Sequence, residues 1–192
     1  MISDWIQSLD GTITLAINSL HFEFGDSFWQ LFSLKEMWFP LYAIVLYYTV
    51  KRLGWKAGGI MILSMVLTIL ACDQLANLMK IVAGRLRPCY NAQMMEDGLH
   101  VLENRTGFYG FFSAHTGNAF GFAVASLTAF KIDKNHRYDK YQWFIFSWAA
   151  LVGLSRIFAG KHYFGDVLVG MIVGLAVGYL LSRLAKYITE KV

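Results

Sequence analysis

Cations and histidines, rather than paired carboxylates, carry the chemistry legible in this chain. Lys80, Arg85, Arg87, Arg156 and Lys161 gather near the ends of apolar stretches, and His115 and His162 stand at the starts of two others. Fixed positive charge beside imidazole suits the processing of an anion: the cations neutralise oxygen charge, and a neutral imidazole attacks or moves a proton. Snorkelling contact with phospholipid headgroups accounts for single Lys or Arg residues, but not for two histidines at the same level. Lys80 and Arg87 are two helical turns apart, so the spacing predicts both on one face of a helix that Pro88 stops. Asp73, Asn77 and Lys80 share a face at i, i+4 and i+7, which makes Asp73 the expected support of Lys80. Ser113-Ala114-His115 opens an apolar stretch, where the free N–H groups of a helix start bind phosphate. Asp166 follows His162 by four positions; on a helix it can take one imidazole N–H and leave the other nitrogen free as a nucleophile.

Lys80-x6-Arg87-Pro88, Ser113-Ala114-His115 and Ser155-Arg156-x5-His162-x3-Asp166 occur in that order. Each alone is weak, but together they are specific. The pattern resembles the three-part signature of the type 2 phosphatidic acid phosphatase (PAP2) superfamily, membrane lipid phosphate phosphatases with the vanadium haloperoxidases as soluble relatives. The first and third parts match residue for residue; in the second, Phe112 and Ala114 stand where the family usually has proline and glycine. The resemblance implies that His162 attacks phosphorus to form a phosphohistidine, with Asp166 orienting it. It implies that His115 protonates the leaving oxygen and then deprotonates water, and that Lys80, Arg87, Arg156, the Ser113 hydroxyl and the Ala114 N–H bind the phosphoryl oxygens. It implies no cofactor and no metal, in keeping with three fixed cations and no nearby carboxylate cluster suited to magnesium.

These residues need elements that hold them at one level. The 192-residue chain is 56% hydrophobic and only 16% charged, with a mean hydropathy of +0.44. Soluble domains carry about a quarter charged residues, and disordered chains lack the apolar surface to collapse. The expected architecture is all-α: one polytopic transmembrane helix bundle over residues 1–192, with five to six spans and an N-terminal interfacial helix at about 4–20. The spans fall near 28–50, 57–80, 113–131, 141–157 and 165–186. A sixth span within 1–27 would place Asp10 and Asn18 in lipid unless they find partners. Lys51, Arg52 and Lys56, then Lys131, Lys134, Arg137 and Lys140, then Arg183, Lys186 and Lys191 fall on one side, which the positive-inside rule makes cytoplasmic. The first 34 residues hold only acidic charges, Asp4, Asp10, Glu23 and Asp26, and are expected outside with the site. Gly170, Gly174 and Gly178, and Gly117, Gly121 and Ala125, recur every four residues, the spacing that lets helices approach closely; packing within one bundle is favoured over homodimerisation. Trp29, Trp38, Trp55 and Trp143 are placed as interface anchors.

The remaining residues are expected to be quieter. Arg85 and Lys161 read equally as site contacts or solvated charges, and Lys35 and Arg105 carry no assigned role. His21, His100 and His136 lack partners nearby in sequence and read as surface residues. Cys72 and Cys89 are not expected to pair, and Asp166 could also cap the last span. The loop 89–112 reads as an exposed connection, with a lid or substrate selector as the alternative. Together these readings point to a bacterial inner-membrane enzyme hydrolysing a lipid phosphomonoester or diphosphate at the outer, periplasmic face. Undecaprenyl diphosphate or a lipid A phosphate leads as substrate, ahead of phosphatidylglycerol phosphate and phosphatidic acid. The bilayer and the lipid phosphate are the partners, and nucleic acid is not. A non-catalytic lipid-phosphate binder or transporter is the rival class, but no inverted repeat is evident. Vanadate-dependent oxidation on the same residues is disfavoured by the apolarity of the chain.

Overall fold

The computed structural model describes residues 2–104 and 107–191, with side chains described from Trp5 onward. The chain is all-α. Its helices are α1 (Ile2–Asn18), α2 (Glu23–Ser33), α3 (Phe39–Ala83), α4 (Ala92–Glu96), α5 (Ala114–Phe130), α6 (Asp139–Phe158) and α7 (Phe164–Thr189). No strand forms among the described residues; Leu86 and Tyr109 make one isolated antiparallel bridge.

The expected first span at 28–50 is divided. Leu34 is extended (φ −78°, ψ 123°) and ends α2; a 3₁₀ turn over Lys35–Trp38 follows, and α3 begins with Pro40 in its first turn, where its missing N–H costs nothing. The expected first and second spans are instead the two parts of α3. They are separated by Gly54, whose φ of 77° and ψ of 173° break the helix. A Cβ at Gly58 would lie 3.0 Å from the Val50 Cα, so the chain doubles back tightly there.

Helix α5 sits at the centre, buried along most of its length and packed against α3, α6 and α7. Its backbone comes close to that of α7 along a row of glycines. A Cβ at Gly170, Gly174 or Gly178 would lie 2.6, 2.3 or 2.6 Å from the carbonyl oxygens of Ser113, Gly117 and Gly121. Both glycine repeats therefore serve a seam inside one bundle, as small-residue spacing allows. Around it Met61, Met65, Ala123, Ile145, Trp148 and Ala149 form the apolar core. Two of the tryptophans expected as interface anchors are half-buried and packed on other rings: Trp29 stacks on Phe158 at 4.2 Å, and Trp38 meets Trp148 edge-on at 5.5 Å. Trp55 and Trp143 stay exposed.

The outer surface is apolar. Leu63, Leu70, Ile81, Ile172, Leu180 and Leu184 all face outward. By length and composition α3 and α7 are able to cross a membrane, and only 22% of the most apolar stretch of α7 is buried in the protein. So large an exposed apolar surface suits lipid and not water.

Gly174→Ala should force α5 away from α7 and cost about 1–3 kcal/mol, the usual range for overpacking. Gly59→Ala, where a Cβ meets nothing within 4 Å, should be neutral or stabilising by up to about 1 kcal/mol, since alanine is the better helix former. Thermal unfolding of both variants in detergent measures the contrast.

Candidate active site

Lys80, Arg87, Ala114, His115, Arg156 and His162 line one cavity of about 290 Å³, with Lys35, Asp73 and Asn77 completing its wall. Lys80 belongs to the last turn of α3, which Gly84 ends in the left-handed conformation (φ 56°). Arg87 is therefore not on that helix, contrary to the helical-face expectation. It lies in extended backbone (φ −68°, ψ 155°), its N–H donating to the Phe108 carbonyl and its Nε to the Tyr109 carbonyl at 3.1 Å. A loop return, and not a shared helical face, brings it beside Lys80. Asp73 does not hold Lys80 either: Asp73 accepts from Asn118 Nδ2 at 2.9 Å, while Lys80 donates to Asn77 Oδ1 at 3.4 Å. Ser113 is fully buried and is not part of the cavity wall. It is the N-cap of α5, its hydroxyl accepting from the Thr116 N–H and hydroxyl. Capping thus uses the oxygen as an acceptor and leaves its O–H as a donor, and Ala114 and His115 follow it into the cavity.

His162 lies in the turn between α6 and α7, and Asp166 is the third residue of α7, just behind it. Imidazole Nδ1 faces Asp166 Oδ2 at 3.5 Å, and both side chains are buried. Burial pushes the His162 pKa down to about 4; Asp166 opposes that shift, while Arg156 and Arg87 add to it. His162 is therefore neutral at ordinary pH. Asp166 also accepts the Tyr163 N–H at 3.1 Å, which satisfies one of the free donors at the start of α7. Its other oxygen accepts from Arg85 at 2.8 Å, and Arg85 also reaches Asp10 at 2.6 Å. Burial alone would lower the Arg85 pKa, but the two carboxylates override it and raise it. The open question over Arg85 resolves as a contact one step behind the cavity.

Arg156 is held from the far side. Glu103 accepts from both ends of its guanidinium, at 3.1 and 3.4 Å, and takes a further hydrogen bond from the Ser33 hydroxyl. Arg156 Nε remains buried without a hydrogen-bond partner among the described residues. Lys161 is also buried, donating to the Asn104 carbonyl and lying 4.0 Å from Glu103, so it is no solvated charge. The loop 89–112 is accordingly not a plain exposed connection: it carries α4 and buries Cys89, Met94 and Leu99. Arg105 lies outside the described residues. Cys72 and Cys89 are both free. The histidines set aside as lone surface residues have partners distant in sequence or across a turn: His100 pairs with Asp26 at 2.7 Å and stacks on His21, and His136 pairs with Asp133.

Three residues missed as site residues lie on α1. Asn18 donates to the Ile157 and Phe158 carbonyls at the end of α6, and Thr14 and Asp10 accept the Phe164 and Gly165 N–H groups at the start of α7. Their i, i+4, i+8 spacing on an otherwise apolar segment was the available signal. A second cavity, about 320 Å³ and lined by apolar residues such as Phe32, Trp38, Tyr42, Ile69 and Trp148, meets the first at Lys35, Asp73 and His115.

Comparison with known proteins agrees with the motifs. The PAP2 superfamily pattern matches residues 41–190. The lipid A 4'-phosphatase of Bacteroides thetaiotaomicron is 31% identical, over 98% of this chain and 82% of the relative. That of Porphyromonas gingivalis is 29% identical, over 96% and 76%. In fold, the chain resembles the transmembrane PAP2 type phosphatidylglycerolphosphate phosphatase of Bacillus subtilis (TM-score 0.73, 22% identity, 95% of this chain and 87% of that one). It also resembles Aquifex aeolicus LpxE (TM-score 0.65, 21% identity, 90% and 93%). With motifs, site and fold in agreement over most of its length, the chain belongs to the PAP2 superfamily.

Proposed function

We propose that this PAP2 phosphatase hydrolyses the 4'-phosphate of lipid A at the outer face of a bacterial inner membrane. The observation that carries the lipid reading is the meeting of the two cavities: a phosphate among Lys80, Arg87 and Arg156 leaves its acyl-bearing part beside the apolar cavity at His115. That cavity would take an acyl chain entering laterally between helices. Lipid A leads among lipid phosphates because the two relatives named above act on it and match nearly the whole chain. Undecaprenyl diphosphate, phosphatidylglycerol phosphate and phosphatidic acid are the substrates it must outperform.

In this mechanism the free nitrogen of neutral His162 attacks phosphorus, a P–N bond forms and the bond to the lipid oxygen breaks. His115 gives the leaving oxygen its proton. His115 then takes a proton from water, whose oxygen displaces His162 and yields inorganic phosphate. Lys80, Arg87, Arg156 and the Ala114 N–H neutralise the equatorial oxygens, the work a metal does in other phosphoryl transfers. Ser113 contributes by fixing the start of α5. In the membrane, the two parts of α3 with α5, α6 and α7 supply five crossings, and α1 and α2 lie at the outer rim.

The purified enzyme should release phosphate from lipid A faster than from the three competing lipids, with vanadate inhibiting and EDTA without effect. A faster rate on any competitor would replace the substrate, and loss of activity in EDTA restored by magnesium would overturn the mechanism. His162→Ala should abolish both turnover and the phosphoenzyme trapped by alkaline quench, in which a P–N bond survives. His115→Ala should slow turnover by about 10²–10⁴-fold, less for substrates with good leaving groups.

Protonation has a definite sign. With its pKa pushed down to about 4, His162 loses its lone pair to a proton only below that pH, whereas an exposed histidine titrates near 6.5. Histidine NMR in detergent, assigned with His162→Ala, should show the His162 ring neutral at pH 6 and protonating near pH 4. Titration near 6.5 would contradict the buried, neutral nucleophile. Topology is tested separately: a cysteine at position 98 should label from outside the membrane, and one at 135 should not.

A further inference from the structure

The residues behind His162 form a chain that leaves the region matched by the family. Asp166 is completely buried, and Arg85 bridges it to Asp10, at 2.8 Å on one side and 2.6 Å on the other. The Arg85 guanidinium is stacked 4.0 Å from the centre of the Tyr163 ring, between His162 and the start of α7. A planar fork so held serves two carboxylates at once in one fixed geometry, which the rotating ammonium of a lysine does not impose. Asp10 is fixed in turn: its other oxygen accepts the Gly165 N–H at 2.7 Å. Only glycine fits at 165, since a Cβ there would meet Asp10 Oδ2 at 2.7 Å.

We infer that Asp10 is a positioning residue for the reaction: through Arg85 it sets where the Asp166 carboxylate sits, and so how His162 is aimed. Without Asp10, the whole guanidinium turns to Asp166 and draws its charge and its lone pairs away from the imidazole. Asp166 Oδ2 is hydrogen-bonded to the Tyr163 N–H and only faces His162 Nδ1, at 3.5 Å and without a hydrogen bond to it. That contact is therefore the one a small displacement breaks. Asp10 puts the N-terminal helix, outside residues 41–190, into the catalytic apparatus. This rests on His162 being the nucleophile.

The test is Asp10→Asn, which preserves shape and an acceptor for Gly165 while removing the charge, compared with Arg85→Gln and Arg85→Lys. Asp10→Asn should lower kcat by about ten- to a hundredfold, the scale of a small misplacement of a reacting group, with KM changed less than about twofold. Arg85→Lys should retain more activity than Arg85→Gln. The His162 titration supplies a readout that loss of structure does not. His162 is faced by Asp166 on α7, Arg156 on α6, Arg87 on the loop after α3 and His115 on α5. Asp10→Asn leaves more net positive charge among these, so His162 should protonate at lower pH than in the wild type. Arg85→Gln frees Asp166, so His162 should protonate at higher pH. Should Arg85→Gln fail to fold, Asp10→Asn decides alone by its kcat and its titration. Full kcat in Asp10→Asn with an unmoved titration, while the wild type is labelled on His162, overturns this inference and leaves the nucleophile standing. A wild type labelled on another residue overturns both.

Discussion

The backbones of α5 and α7 touch, and the site depends on that contact. The Ser113 N–H donates to the Asp166 carbonyl at 3.0 Å, and below it Gly170, Gly174 and Gly178 lie against carbonyls of α5. One helix carries His115 in its first turn; the other begins just after His162 and carries Asp166 in its own. Joining the two helix starts through main chain sets the two histidines relative to one another without relying on flexible side chains. Lipid gives no hydrophobic drive for helix association, so close van der Waals contact between small residues is the force available.

Around this seam, charge is arranged so that no buried ion among the described residues stands alone. Arg85 lies between Asp10 and Asp166, and Glu103 holds Arg156. Burying a charge away from water costs several kcal/mol, and removing one partner of a buried pair leaves that cost uncompensated. Arg156 therefore has supports reaching in from the loop after α4 and from α2, and Asp166 has one reaching in from α1 through Arg85. That explains why segments outside the motifs fold tightly against them. The N-terminal helix also gives the last carbonyls of α6 and the first N–H groups of α7 the side-chain partners their helices cannot provide.

What could be read in the sequence was what depends on short-range spacing. The glycine repeats translate directly into geometry, and the mean apolarity announced an all-α bundle. The four-residue interval puts Asp166 beside His162, though His162 precedes α7 and its Nδ1 faces the carboxylate at 3.5 Å without a hydrogen bond. Lys80 and Arg87 do share a cavity, but the helical reason was wrong, because Gly84 ends α3 before Arg87. The break between α2 and α3 is marked in the sequence only by Lys35 and Glu36, with no glycine or proline between Ser33 and Pro40. Asp73 and Ser113 were read by local position, whereas Asn118 and the capped N–H of Thr116 claim them. Asp10, Arg85 and Glu103 could not be paired from sequence at all: their partners lie tens of residues away, and only the folded chain puts a carboxylate of α1 beside an arginine that follows α3.

A helix-to-helix contact made by backbone in glycine notches has discrete settings. Sliding α7 along α5 by a fraction of a turn drives Cα atoms into carbonyls, and the next compatible register is a full turn, about 5.4 Å, away. The separation of the two histidines is therefore not something that substitutions elsewhere can tune gradually. The wall built by α2, the 3₁₀ turn and the start of α3 has no such lock, being made of Phe32, Trp38 and Tyr42 side chains. Relatives of this fold can diverge in the lipids they accept by remodelling that wall, while the chemistry behind it stays in one fixed register.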